Sequence, residues 1–362
     1  MTVGWHAPPP GSATGVADYA ETLLRALRQP GDVRPGDGDV NLYHIGNNRF
    51  HQTIYAAALS RPGVAVLHDT VLQHFFLGTL THDEYMAEWL HNYGTWRRDL
   101  GEELWRGSGR AGVDPRYFEF PMLRRIAETS RTVIVHNPGA AEMARAHGAK
   151  RVEVIPHFVE PVTVPDAATI AAFRNRIGVA PGARLFGMFG YLREPKRVMT
   201  CISAFRELHA ARPDTALLIA GDPVSKDLAR ALDQEPPHRA IRRLGHLREE
   251  DLMIAAAAVD CCLNLRYPAA GETSGIAVRL MGMGKPVILS DLAENAAYPE
   301  TAVLRVRPGI AERGELFDHM VLAAAFPQVA RDIGEQARKW IAGHHAIEAV
   351  AKRYWQVLCD SA

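Results

Sequence analysis

Apolar positions come along this chain in two alternating textures. Short unbroken runs such as "TVGW", "VNLYHI", "VAVLHD", "TVIVHN" and "VEVIPHF" alternate with stretches whose apolar residues recur at helical spacing, such as "GVADYAETLLRALRQ" and "NPGAAEMARAHG". The unbroken runs read as strands buried on both faces, and the helical spacing as amphipathic helices. Their alternation predicts a parallel sheet covered by helices. The texture changes over 161–183, where "PVTVPDAATIAAFRNRIGVAPGA" is Pro/Ala-rich with a short helix inside and is expected to be a linker. A second series of strands follows in "RLFGMFGYL", "TALLIAGDP", "AIRRLGHL", "VDCCLNLRYP", "KPVILSD" and "TAVLRVRP", separated by helical runs such as "REEDLMIAAAA". The expected fold is therefore α/β, two Rossmann-like doubly wound domains facing a cleft. The first spans 1–160 and the second 184–344, and the helical stretch 345–362 is expected to pack back on the first. In such sheets the site lies beyond the carboxyl ends of the strands.

Composition narrows the function. A chain of 362 residues with 47% hydrophobic and 23% charged residues is globular and long enough for two domains. Lys+Arg and Asp+Glu are both 41. A balanced charge argues against nucleic acid as the main partner, since phosphate backbones demand a basic surplus. The four cysteines, Cys201, Cys261, Cys262 and Cys359, form no CxxC pair and fit a reducing compartment. The start "MTVGWHAPPPG" has neither the basic nor the apolar region of a signal peptide, and no stretch has the length of a membrane span. The expected location is the cytoplasm, at most peripheral at the inner face of a membrane.

Candidate chemistry falls at strand ends. In "PPPGSATGVADY" a loop leads into a helix beginning near Gly15, where bare backbone N–H groups attract anions; the other reading is an ordinary strand-to-helix turn capped by Ser12 or Thr14. His68 and Asp69 follow the strand of "VAVLHD"; the histidine either orients a substrate hydroxyl or is a satisfied histidine at a strand end. Asn47 and Asn48 sit one strand earlier, as ligands for hydroxyl-rich substrates or as helix caps. Arg193, Lys196 and Arg197 follow the strand of "RLFGMFGYL", where cations would neutralise a diphosphate, or else form a solvated loop. "GETSG" places Glu272 in a tight turn before a helix. The acidic pair in "DGD", Asp37 and Asp39, reads as a surface turn, and His344 and His345 lack partners at metal-ligand spacing, so no metal is expected. Between Val71 and Arg131 lies a long insertion carrying Trp89, Trp96 and Trp105, read as packing between helices or as the wall of an acceptor site.

Taken together these segments resemble the retaining glycosyltransferases of family four, which have the GT-B fold. "PPPGSATGVADY" resembles that family's glycine loop, "IGNN" and "VLHD" resemble features of a bacterial branch, "FGYLREPK" resembles its phosphate loop with Tyr191 where Arg is usual, and "YPAAGETSG…GMGKPVILSD" is similar to its donor motif. The resemblance implies a metal-independent transferase that takes a nucleotide sugar as donor, without a further cofactor, and passes the sugar to a hydroxyl of a glycan, lipid-linked or small-molecule acceptor. It implies catalytic roles for His68, Asp69 and Glu272. Gly15, Arg193, Lys196, Thr273, Ser274, Gly275 and Arg279 would bind the donor, and Asn47 and Asn48 would lie on the acceptor side. The family's second motif carboxylate is missing: Arg279 and Leu280 stand in its neighbourhood. A sugar-nucleotide epimerase of the same fold and a non-catalytic nucleotide-sugar-binding module are the competing readings.

Overall fold

The computed structural model describes residues 1–12, 14–161 and 163–362. Ala13, in the glycine loop, and Val162, in the expected linker, lie outside the described residues. The chain divides into two compact units. The first is Met1–Phe158, Pro268–Thr273 and His345–Ala362, and the second is Val159–Tyr267 and Ser274–His344.

The first unit holds six strands: β1 (Thr2–His6), β2 (Asp32–Pro35), β3 (Val40–Ile45), β4 (Val64–Leu67), β5 (Thr132–Val135) and β6 (Val152–Val154). They pair in the order β2-β1-β3-β4-β5-β6, and every pairing is parallel. β3, β4 and β5 are buried along their whole length, as strands covered by helices on both faces must be. One core face packs Tyr43, Leu67, Phe75, Tyr85 and Trp89, and the other packs Val3, Leu23, Val66, Val350 and Tyr354. Residues 345–362 supply the helix Ile347–Asp360, whose Tyr354 hydroxyl meets that of Tyr19 at 3.0 Å. The strand β2 has no counterpart in the apolar pattern. "DVRP" carries one buried residue and ends in Pro, a composition tolerated only at a sheet edge, which is where it lies.

Asp37 and Asp39 follow β2. Asp37 pairs with Arg61 and with His6 (3.5 Å), and Asp39 accepts the backbone N–H of Thr2 at 2.7 Å. In the insertion, Trp89 is fully buried and donates its indole N–H to the Arg97 carbonyl at 2.9 Å, and Trp105 packs on Tyr85; Trp96 is 77% exposed with the Arg97 guanidinium over its ring. Packing between helices thus accounts for Trp89 and Trp105 but not for Trp96.

The second unit also holds six parallel strands: β7 (Arg184–Phe189), β8 (Thr215–Ala220), β9 (Ile241–Leu244), β10 (Cys261–Asn264), β11 (Val287–Ser290) and β12 (Leu304–Val306). The order β12-β11-β10-β7-β8-β9 reverses between β7 and β10, the doubly wound arrangement of dinucleotide-binding sheets. The segment read as a linker contributes the helix Ala167–Arg176, and its Phe173, Ile177 and Val179 are buried in this unit's core. Cys201, Cys261 and Cys262 are buried, and burial pushes each thiol up.

Candidate functional site

Each unit carries its own cluster at the carboxyl ends of its strands. In the second unit the reversal point brings together the loops after β7 and β10, where the Tyr267 N–H donates to the Pro195 carbonyl at 2.8 Å. The β7 loop turns at Gly190, whose φ of +80° suits a residue without Cβ. The three cations of this loop have separate fates. Lys196 donates its ammonium to the Phe189 carbonyl at 2.6 Å, so it is folded over the strand end. Arg197 adopts a left-handed conformation (φ +57°) at the start of the helix Val198–Ala211, and its Nε donates to Glu312 at 2.6 Å. Glu312 is 2% exposed, which makes Arg197 the counter-ion of a buried carboxylate. Arg193 is exposed, and among the described residues its guanidinium makes no ion pair. Ser274 caps the helix Gly275–Gly282, its hydroxyl accepting the Ala277 N–H at 3.4 Å, so that helix starts at a residue without a side chain. Arg279 lies on the same helix and pairs with Glu249 at 2.8 Å.

In the first unit the turn after β3 and the turn after β4 are tied together. Asp69 accepts the Asn47 backbone N–H at 2.9 Å, and the Asn47 side-chain amide oxygen accepts the Phe75 N–H at 2.8 Å. Asn48 accepts the Phe50 N–H at 3.0 Å and donates to the Thr14 hydroxyl at 3.3 Å. That hydroxyl in turn caps the helix Gly15–Leu27, where Gly15 is the first residue. Asn48 therefore caps the turn that follows it, whereas Asn47 serves the first turn of the helix Gln73–Thr79 instead, and together they link the glycine loop to the ends of β3 and β4.

Beside them lies a row of histidines that the sequence reading did not assemble. His68 stands between two others: its Nε2 is 2.9 Å from His44 Nδ1, and its Nδ1 is 3.3 Å from His136 Nε2. All three are at least nine-tenths buried. Burial drives the rings toward neutrality, His44 down to about 3 and His136 to about 4, and His68 is held well below 6.5 by burial and then by His136 and His44. A neutral imidazole has one donor and one acceptor, so an anchored first ring fixes the rest. His136 Nδ1 is 3.0 Å from the Ile155 carbonyl and must donate to it. Its Nε2 is then bare and accepts from His68 Nδ1; His68 Nε2 is bare and accepts from His44 Nδ1. His44 Nε2, left as a lone pair, is a buried nitrogen with no hydrogen-bond partner. His51 donates Nδ1–H to the His44 carbonyl at 2.9 Å and is itself held down to about 4 by burial. Both ring nitrogens of His68 are thus committed to other histidines. The signal that would have found the array is a histidine at the carboxyl end of consecutive sheet neighbours, His44, His68 and His136 on β3, β4 and β5.

The loop Pro268–Thr273 belongs to this unit and brings Glu272 to it. Ala270 accepts the N–H groups of Thr70 and Val71 at 2.7 and 3.1 Å. Asn137, another residue the sequence reading passed over, donates to the Gly271 carbonyl at 2.9 Å and to the Thr273 hydroxyl at 3.0 Å. The Glu272 carboxylate accepts the Ala270 N–H at 2.8 Å. Among the described residues no group of three or more His, Cys, Asp or Glu side chains is arranged to hold a metal ion. Among the described residues no helix is long and apolar enough to cross a membrane.

Comparison with known proteins joins these clusters to a class. Residues 183–314, the stretch carrying the β7 loop and the helix Gly275–Gly282, match the family model "Glycosyl transferases group 1". Solved structures extend the likeness over the whole chain. HepE from Anabaena in complex with UDP-glucose has a TM-score of 0.69 at 15% identity, covering 99% of this chain and 100% of that one. Sucrose-phosphate synthase from Thermosynechococcus elongatus gives 0.68 at 17%, covering 99% and 95%. WaaG, a glycosyltransferase involved in lipopolysaccharide biosynthesis, gives 0.66 at 13%, covering 98% and 99%. No curated protein sequence matches the chain. The likeness to these structures shows the GT-B fold, and the family match covers residues 183–314 of the chain.

Proposed function

We propose that the protein is a retaining glycosyltransferase of the family-four type, which moves a sugar from a nucleoside-diphosphate sugar to an acceptor hydroxyl. The observation that carries this reading is the coincidence of the matched segment 183–314 with a reversal-point loop of cations and a small-residue helix start. Departure of a nucleoside diphosphate needs negative charge stabilised on the leaving phosphate. Arg193 supplies an exposed guanidinium that makes no ion pair among the described residues. Lys196 supplies an ammonium at the β7 end, and the backbone N–H groups after Ser274 supply the positive end of a helix dipole. These groups neutralise the charge without calling on a metal. Glu272 binds polar groups of the transferred sugar, and Asp69, Asn47 and Asn48 shape the acceptor side. His68 contributes through the fixed array it belongs to, because its ring nitrogens are already engaged. Retention follows if the acceptor hydroxyl attacks the oxocarbenium-like sugar from the face the diphosphate leaves, with that diphosphate taking the proton.

The test is a thermal-shift panel of UDP, GDP and ADP with their glucose conjugates, UDP-glucose first because HepE was solved with it. A ligand that binds only the native state raises the midpoint with its affinity. Donor hydrolysis in excess EDTA, with the anomer followed by NMR, then tests turnover, metal independence and retention. Binding without turnover points to a non-catalytic module, and no shift with any nucleotide removes the reading.

A further inference from the structure

β5 ends in two adjacent side chains with different tasks: His136 enters the histidine array and Asn137 turns to the loop Pro268–Thr273. We propose that Asn137 is a positioning residue for Glu272, a single amide that holds the Gly271 carbonyl and the Thr273 hydroxyl on either side of that carboxylate.

Asn137 is 3% exposed, and its side chain is fully used. Its Oδ1 accepts the Ala140 N–H at 2.8 Å, capping the helix Pro138–Ala146. That bond fixes which end of the amide is oxygen, so Nδ2 must face the loop. There it meets the Gly271 carbonyl and the Thr273 hydroxyl at 2.9 and 3.0 Å, the residues flanking Glu272. Capping alone would be served by Ser, Thr or Asp, each of which offers an acceptor. Of the preferred caps only Asn also presents two donors from the same group, so the residue type answers the clamp as well as the cap.

The rest of the loop has no slack. Thr70 and Val71 both donate to Ala270, and Ala270 donates to the Glu272 carboxylate at 2.8 Å. Gly271 has a φ of +81°, and a Cβ there would lie 1.8 Å from the Thr70 hydroxyl. A carboxylate held within a few tenths of an ångström by such a shell can act on a bound sugar without reorganising first. The role of the carboxylate itself rests on the function proposed above, whereas the clamp rests on these distances alone.

The test uses Asn137→Asp in the full chain. The substitution keeps the capping oxygen, removes both donors and sets a carboxylate oxygen against the Gly271 carbonyl, which cannot donate, while the Thr273 hydroxyl can turn to donate. Thr273→Val, which deletes one of the two acceptors, is the milder companion. Amide exchange without substrate is read first. We expect the peptide covering 268–274 to exchange at least tenfold faster in Asn137→Asp while β4 and β5 keep their protection, with a smaller effect in Thr273→Val. UDP-glucose hydrolysis is read second: kcat should fall at least tenfold while UDP affinity stays within twofold. Unchanged exchange overturns the clamp. Faster exchange with unchanged kcat overturns the positioning role, and so does a joint loss of kcat, UDP affinity and protection throughout the first unit, which marks a merely structural residue. Wild-type protein that turns over no nucleotide sugar removes the transferase reading instead, and the exchange measurement still decides the clamp.

Discussion

The histidine array makes the first unit sensitive to acid in a window set by the unfolded chain. His44, His51, His68 and His136 are all held below their ordinary value of 6.5, chiefly by burial. A histidine whose folded pKa is depressed gives up stability as pH falls. Below 6.5 the unfolded chain binds a proton that the native ring refuses, until the folded value near 3 or 4 is reached. Each such group costs about 1 kcal/mol between pH 6.5 and 5.5, and about 1.4 kcal/mol for every further unit. Four together remove roughly 4 kcal/mol over the first unit of pH, a large part of a typical domain's 5–15 kcal/mol. Carboxylates held low by surface arginines, such as Asp114 and Glu315, lose their contribution only in a lower range, so the window above pH 5 belongs to the histidines. The assay is amide exchange of β3, β4 and β5 from pH 7.5 to 5.0, corrected for intrinsic rates, which reports opening of this unit rather than of the whole chain. His136→Gln should reduce the slope between pH 6.5 and 5.5 by about three-quarters of a proton, whatever it does to absolute stability. A slope below one proton between pH 6.5 and 5.5, or one unaltered in His136→Gln, would refute the neutral array.

Four further outcomes are expected. His68→Ala should lower the thermal midpoint of the first unit, because it strands His44 Nδ1–H and His136 Nε2 at about 1–3 kcal/mol for each buried group left unpaired; an unchanged midpoint would contradict the array. Lys196→Ala should cost about 2–4 kcal/mol in the transition state for donor cleavage, and turnover within a few-fold of wild type would take Lys196 out of the site. Arg197→Ala should destabilise the second unit by about 3–5 kcal/mol in urea unfolding, since it leaves buried Glu312 without its counter-ion; the double change with Glu312→Leu should recover most of the loss. Glu272→Gln should slow hydrolysis of UDP-glucose and leave UDP affinity nearly intact, and a collapse of UDP affinity would move Glu272 from the sugar to the nucleotide.

Apolar runs located eleven of the twelve strands of the two sheets, most plainly β4, β5, β8, β10 and β11, which are buried along their whole length because both faces are covered; at the edges β6 and β9 the runs carry charged residues. The exception, β2, is an edge strand whose partner supplies most of its reason to be extended; "DVRP" has no apolar pattern to read. A cap was legible at Asn48 as one of two meanings, since an asparagine before a helix serves a local need visible in the sequence, whereas the Asn47 amide answers an N–H 28 residues away. The histidine array was not legible. His44, His68 and His136 are separated by 24 and 68 residues, and each alone is an unremarkable strand-end residue. Only the pairing order β3-β4-β5 makes them neighbours.

The same logic explains why the cations of the β7 loop could be found as a cluster but not ranked. Arg193, Lys196 and Arg197 share a loop and a charge, and sequence proximity treats them alike. What separates them is distant in the chain. Glu312 lies 115 residues from Arg197 and, buried behind it, converts that guanidinium into the counter-ion of the fold. The Phe189 carbonyl, at the end of the preceding strand, claims the Lys196 ammonium, a bond to a neutral acceptor that an incoming phosphate can replace with a stronger, charge-assisted one. Arg279 is drawn off in the same way by Glu249, thirty residues upstream. That pair is half in water, where its worth is small and an anionic ligand competes on good terms. If these groups meet a diphosphate as proposed, Arg193 and the half-exposed Arg279 are easier to recruit than Arg197, which is bound to a buried carboxylate. That order is a property of their acceptors rather than of the cations themselves.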